Sequence, residues 1–229
     1  MKDKTKKIAV NQNHELIEAR YKLKAEEMDF ILILMSKVFQ HDNDFKESKI
    51  TFKDYQELTG VCKEFNRFKN LPNGLDKKFI EIKDKNKDEW IKITLLQSIK
   101  YIKGAGFIAA KFSEEMKPYL LNLGEGNPYI PTKLIEQTKL KSFYSKRIYY
   151  MLKKYQNFGE HIPTLEKLQK MLQVPKSMLN YSQFNQKVLN IAFNEINEKT
   201  DVKFTYEIFE KVGRKVTTIK FKIKKQTKG

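Results

Sequence analysis

The chain has 229 residues, 40% of them hydrophobic and 12% aromatic, which is enough for one large domain or two small ones, each with its own core. Its 45 Lys plus Arg against 28 Asp plus Glu leave a net charge of +17, a self-repelling excess that points to a polyanionic partner, nucleic acid ahead of membrane or acidic protein. A single cysteine, Cys62, excludes an internal disulfide, and His14, His41 and His161 are too scattered for metal-ligand spacing. The longest apolar run, "FILILM" at 30–35, is too short to span a bilayer, and no signal-peptide pattern opens the sequence. A soluble cytoplasmic protein without metal or cofactor is expected.

In chain order, residues 1–12 show no regular periodicity and are expected to form a mobile basic arm. Residues 24–40 place Met28, Ile31, Leu32, Met35, Val38 and Phe39 at spacings of three and four, which predicts an amphipathic helix. Thr51 reads as the cap of a short helix stopped by Gly60, followed by helical segments at 63–70 and 74–78. A strand at 79–82, a charged turn, a long strand "WIKITLLQSIKYI", the turn "KGAG" and the strand "FIAAKF" come next, before Ser113 caps "EEMKPYLLNL". "GEGNP" at 124–128 is the expected linker, because two glycines and a proline interrupt periodic sequence.

Beyond it the order repeats. Ser142 starts the helix "FYSKRIYYMLKKYQ", Thr164 caps "LEKLQKMLQ", Pro175 breaks that helix, and Ser182 is expected to cap the next. Two strands, 202–209 and 216–224, then flank the turn "EKVGRK". Helix, short helix, helix and hairpin, stated twice, predict an α+β fold of two tandem winged-helix domains, 13–124 and 125–229.

Wound at about 100° per residue, the helix after Ser182 gathers Phe184, Val188, Leu189, Ile191, Ala192 and Ile196 on one side. Gln183, Gln186, Lys187, Asn190, Asn194 and Asn197 form a polar stripe on the other. An ordinary solvated face favours Glu and Lys, which are better helix formers than Asn. Gln and Asn match the adenine edge and Lys can reach guanine acceptors, so Gln183, Gln186, Lys187, Asn190 and Asn194 are the candidate base readers in the major groove of duplex DNA. The hairpin beyond is expected to be basic on its outer side: residues 211–228 hold eight basic residues and no acidic one. Lys211, Arg214 and Lys215 around Gly213 are candidates for backbone phosphates, and Ser182 for a phosphate at its helix start. Arg147 and Lys153 are candidates either for phosphates or for ion pairs, and Tyr144, Tyr149, Tyr150 and Tyr155 for core positions.

No enzymatic signature is present. A DNA-nicking tyrosine would need a metal-binding histidine pair, and no phosphate loop of the G-x-x-x-x-G-K-[ST] kind exists to drive an ATPase. A transcriptional repressor could use every feature named so far, whereas a sequence-neutral architectural protein would leave the amide stripe as ordinary surface.

The segments "YSKRIYYMLKKY", "KVLNIAFNEINEKTD" and "GRKVTTIKFKI", with the opening "NHELIEARYKLKAEEMDFILILM", resemble the plasmid replication initiators of the iteron-binding Rep type, over about 13–225. The resemblance implies monomers that bind direct repeats at a plasmid origin and help open the duplex for host initiator and helicase proteins. It also implies a dimer, formed largely through the first domain, that represses its own gene at an inverted repeat. It carries base contacts to the 183–194 stripe and backbone contacts to Arg147, Lys153, Arg214 and Lys215, with phosphate contacts from Lys63, Arg67 and Lys69 in the first domain.

Overall fold

The computed structural model describes residues 8–39, 42–60, 65–84, 89–124 and 126–224. The chain divides into two compact units: one holds the residues up to Ala19 together with Leu23–Lys139, the other Arg20–Lys22 together with Leu140 onward.

The first unit runs β1 (Ala9–Asn13), α1 (His14–Glu18), α2 (Ala25–Met35), β2 (Ser48–Thr51), α3 (Phe52–Thr59), α4 (Phe65–Leu75), β3 (Phe79–Lys83), β4 (Trp90–Thr94), β5 (Leu96–Ile102), β6 (Phe107–Phe112), α5 (Lys117–Leu120), β7 (Tyr129–Lys133) and α6 (Leu134–Thr138). Every residue of α2 from Glu27 to Met35 is buried, so it is a central helix rather than the amphipathic helix its spacing predicts. The carboxylate of Glu27 offsets its burial by accepting the Lys24 N–H at 2.7 Å and pairing with Lys78 at 3.5 Å. Thr51 caps α3 as expected: its hydroxyl accepts the Asp54 N–H at 3.0 Å, Asp54 accepts the Thr51 N–H in return, and Gly60 ends the helix at φ 70°. β2, β6 and β5 form one antiparallel sheet in the order β2-β6-β5.

Several expected boundaries move. The described parts of the two helical segments expected at 63–70 and 74–78 join in one helix, α4, which has Pro72 inside it and ends at Leu75, while 63–64 lie outside the described residues. The long strand breaks at buried Leu95, whose N–H donates to the Lys78 carbonyl at 2.9 Å, so β4 pairs with β3 while β5 joins the other sheet. Residues 9–12, expected in a mobile arm, lie in β1, which pairs with β7 in register from Ala9↔Lys133 to Asn13↔Tyr129. That pairing places 129–139 in the first unit. The division therefore falls between Lys139 and Leu140 rather than at 124–128, where Gly124 and Asn127 instead bond each other's backbones at 3.0 Å.

The second unit runs α7 (Phe143–Tyr155), β8 (Glu160–His161), α8 (Leu165–Met171), α9 (Tyr181–Phe184), α10 (Asn190–Lys199), β9 (Phe204–Val212) and β10 (Lys215–Ile223), with Asn185–Leu189 forming a π-helical turn between α9 and α10. Ser142 and Thr164 cap α7 and α8, accepting the N–H groups of Ser145 and Lys167. Asn180, not Ser182, caps α9: its side chain accepts the Ser182 N–H at 2.8 Å. The sheet order β8-β10-β9 repeats that of the first unit, with the strand that follows the long helix, β2 after α2 and β8 after α7, paired to the last strand of the hairpin. Each unit is a winged helix. The second has a core of Ile148, Leu152, Leu168, Phe184, Val188, Ala192, Ile196, Ile219 and Phe221.

The π turn suits the spacing of the core residues. Phe184, Val188, Ala192 and Ile196 recur every four residues, and in an uninterrupted α-helix each such step overshoots one turn by about 40°, spreading the four over about 120°. A π turn holds one more residue, which sets back everything after it by about 100° and returns all four to one side. All four are fully buried.

Candidate nucleic-acid interface

Three side chains fix α10 and the π turn before it within their unit. Glu195 accepts the backbone N–H groups of Lys141 and Ser142 at 2.9 and 3.1 Å, tying α10 to the start of α7. Asn197 donates to the Phe204 carbonyl at 3.0 Å and accepts its N–H at 2.9 Å, tying α10 to the first residue of β9. Tyr206 on β9 brings its hydroxyl 2.8 Å from Asn185 Oδ1 and also against Asn190 Oδ1. Asn197 thus belongs to the scaffold, not to the polar stripe.

What remains outward is a compact polar face. Gln186, Lys187, Asn190 and Asn194 are exposed and Gln183 is half-buried. The structure therefore brings the five candidate base readers onto one side of one braced helix. Ile191, expected on the apolar side, is 42% exposed. The π turn is the reason: the lag that aligns the core residues carries Ile191 out of the apolar arc and toward Lys187. Run at one fixed pitch, the sequence misses this; the fourfold spacing of the apolar residues was the signal that could have found it.

Tyr206 does more than brace. A phenol has one hydrogen, so Tyr206 donates to one of the two amide oxygens at a time. Burial, with a smaller contribution from Tyr181, pushes the Tyr206 hydroxyl up to about 12, so it stays protonated and able to donate at neutral pH. An amide carries two donors and two acceptor lone pairs, so Asn190 can hold Tyr206 with one edge and still offer a donor and an acceptor outward.

The hairpin β9–β10 turns tightly at Gly213 and Arg214, with Gly213 at φ 58°, the left-handed conformation that a two-residue hairpin of this kind takes at its first central position. Lys211, Arg214 and Lys215 are exposed around that turn. The outer side is not uniformly basic, however. Glu207 pairs with Lys222 at 2.8 Å, Glu210 accepts the Thr218 hydroxyl at 2.8 Å, and Ile208, Phe209 and Val212 are exposed between them. Positive charge concentrates at the tip rather than along the hairpin.

Arg147 and Lys153, candidates either for phosphates or for ion pairs, both have partners within the unit. Arg147 is fully buried; its guanidinium donates to the Tyr21 hydroxyl at 2.7 Å and lies 4.0 Å from the centre of that ring. Tyr21 in turn packs edge-on against Phe143, with ring centres 6.0 Å apart. Lys153 pairs with Asp201 at 3.1 Å, and the other oxygen of Asp201 accepts the Tyr149 hydroxyl at 2.8 Å. Ser182 is exposed in the first turn of α9, but its N–H is taken by Asn180 rather than open to a phosphate. In the first unit Arg67 and Lys69 are exposed on α4, opposite buried Phe68, Leu71 and Leu75, while Lys63 lies outside the described residues.

Among the described residues no helix is long and apolar enough to cross a membrane. The chain is 28% identical over 152 residues to the PI protein of Escherichia coli, an alignment that covers 60% of this chain and spans half the length of that protein. It is also similar to a solved structure described as the Pi initiator protein in complex with iteron DNA, at a TM-score of 0.79 and 21% identity, covering 95% of this chain and 97% of the other. That likeness agrees with the two winged helices derived above. The family model described as initiator replication protein, WH1, matches residues 9–153, and that described as initiator Rep protein, WH2, matches residues 164–223. With both halves matched in order, this chain belongs to the family of initiator replication proteins.

Proposed function

We propose that this protein is a plasmid replication initiator that binds repeated origin DNA through its second winged helix. The observation that carries the reading is the exposed face of Gln186, Lys187, Asn190 and Asn194, on the helix that a winged helix lays in the major groove. Planar amides and an ammonium suit the adenine and guanine edges there. Lys211, Arg214 and Lys215 at the wing tip approach the flanking phosphates, with Arg67 and Lys69 of the first unit adding sequence-neutral contacts. The name of the similar solved structure, an initiator bound to iteron DNA, supports direct repeats as the target. The protein acts in the cytoplasm without catalysing a reaction of its own, opening the duplex and recruiting host initiator and helicase proteins, with a monomer–dimer equilibrium selecting between origin and operator.

The test is selection of bound duplexes from random DNA and from fragments of the source replicon, at near-physiological salt. Tandem direct copies of one motif are expected. A lone inverted repeat beside a promoter would replace the initiator reading by that of a repressor, and no motif at all would leave only a basic, sequence-neutral binder.

A further inference from the structure

The face that carries the amides also carries one apolar side chain. Ile191 is 42% exposed, and its neighbours one turn away on the helix surface include Lys187 at i−4 and Asn194 at i+3, both base-reading candidates. An exposed isoleucine on a solvated helix would need no account of its own. Here its position is set by the π turn Asn185–Leu189, which shifts the phase of α10 relative to α9 by about one residue. The same shift that brings Phe184, Ala192 and Ile196 onto one buried side delivers a branched alkyl group into the row of polar readers. Tyr206 holds both ends of that turn, touching Asn185 where it begins and Asn190 where it ends.

A major groove offers few partners for an alkyl group. Three of the four bases present only hydrogen-bonding edges, ring carbon and nitrogen there, whereas thymine alone presents a methyl group. We propose that Ile191 reads thymine: its side chain covers the 5-methyl of one thymine adjacent to the base pairs faced by Lys187 and Asn194. This deepens the proposed function and rests on α10 lying in the major groove. Amides and ammonium would then specify purine edges, and Ile191 would fix a neighbouring pyrimidine that none of them can distinguish by hydrogen bonding alone.

The experiment uses the full chain and the duplex recovered by selection, with each thymine replaced in turn by deoxyuridine, which deletes only the methyl. One position is expected to weaken binding of the wild type by about fourfold, the worth of one buried methyl-sized group. Ile191→Ala should bind the unmodified duplex more weakly by a similar factor and show no further loss at that deoxyuridine. Ile191→Val, which keeps the branched methyls, should retain the sensitivity. Because the side chain is exposed, circular dichroism of both variants should match the wild type. Equal tolerance of deoxyuridine at every thymine, an undiminished penalty in Ile191→Ala, or a selected motif without thymine would each overturn the proposal. The failure of the groove-reading itself is separate: Gln186→Ala with Asn190→Ala would then leave sequence discrimination intact.

Discussion

Replacing Tyr206 by Phe keeps the ring that packs against Phe193 and Phe204 and removes only the hydroxyl shared by Asn185 and Asn190. Each hydrogen bond is worth about 0.5 to 1.5 kcal/mol net, so the second unit should lose about 1 to 2 kcal/mol of stability. The consequence for binding is more specific. With its tether gone, Asn190 must be ordered by DNA instead of by the protein, at about 1 kcal/mol for a rotamer-rich side chain, or about fivefold in affinity. The assay measures Kd for the selected duplex and for a random duplex, at one salt concentration, for wild type, Tyr206→Phe, Asn190→Ala and the double variant. The expected result is a loss on the selected duplex alone, and no added loss from Tyr206→Phe once Asn190 is Ala. Equal losses on both duplexes, or an undiminished effect in the Asn190→Ala background, would refute the idea that Tyr206 acts by positioning Asn190.

Other expectations concern readout, charge and pH. Gln186→Ala with Asn190→Ala should lower discrimination between selected and random duplex by about 1 to 3 kcal/mol for each bidentate hydrogen-bond pair removed; unchanged discrimination would exclude this face from the interface. Lys215→Ala should weaken binding to every sequence alike and flatten the dependence of log K on log salt by about one unit, so a sequence-dependent loss would contradict its phosphate role. The folded chain holds the Tyr206 proton more tightly than the unfolded chain does, since burial raises this phenol from 10.0 to about 12. Its contribution to stability is therefore complete below about pH 10 and is lost as the pH rises toward 12. Phenolate absorbance of the wild type minus that of Tyr206→Phe should show one hydroxyl titrating late; titration near the ordinary value would mean that the pocket is open to water.

The amino-acid sequence by itself pointed to a polyanionic partner, through its excess of Lys and Arg, and determined the alternation of caps, helices and hairpins that defines two winged helices. Those signals are local: Thr51, Ser142 and Thr164 cap the helices they precede, and Gly213 turns the hairpin, because each acts on a backbone a few residues away. The stripe of Gln186, Lys187, Asn190 and Asn194 was legible for the same reason, since both its members and its opposing core lie within one helical segment. The tertiary structure alone decided which charged residues are exposed and which are held by partners within the fold. Arg147 looks like any basic residue of an amphipathic helix until Tyr21, 126 positions earlier in the chain, is brought beside it, and Lys153 until Asp201 is. It also decided where Ile191 points. A fixed helical pitch assigns that residue to the core, whereas the packing of Phe184, Val188, Ala192 and Ile196 against one surface costs less with a widened turn than with a side chain left out of the core. Nor did the boundary between the units lie where glycine and proline are densest. It was set by the pairing of β1 with β7, a contact between segments more than a hundred residues apart that no local pattern reports.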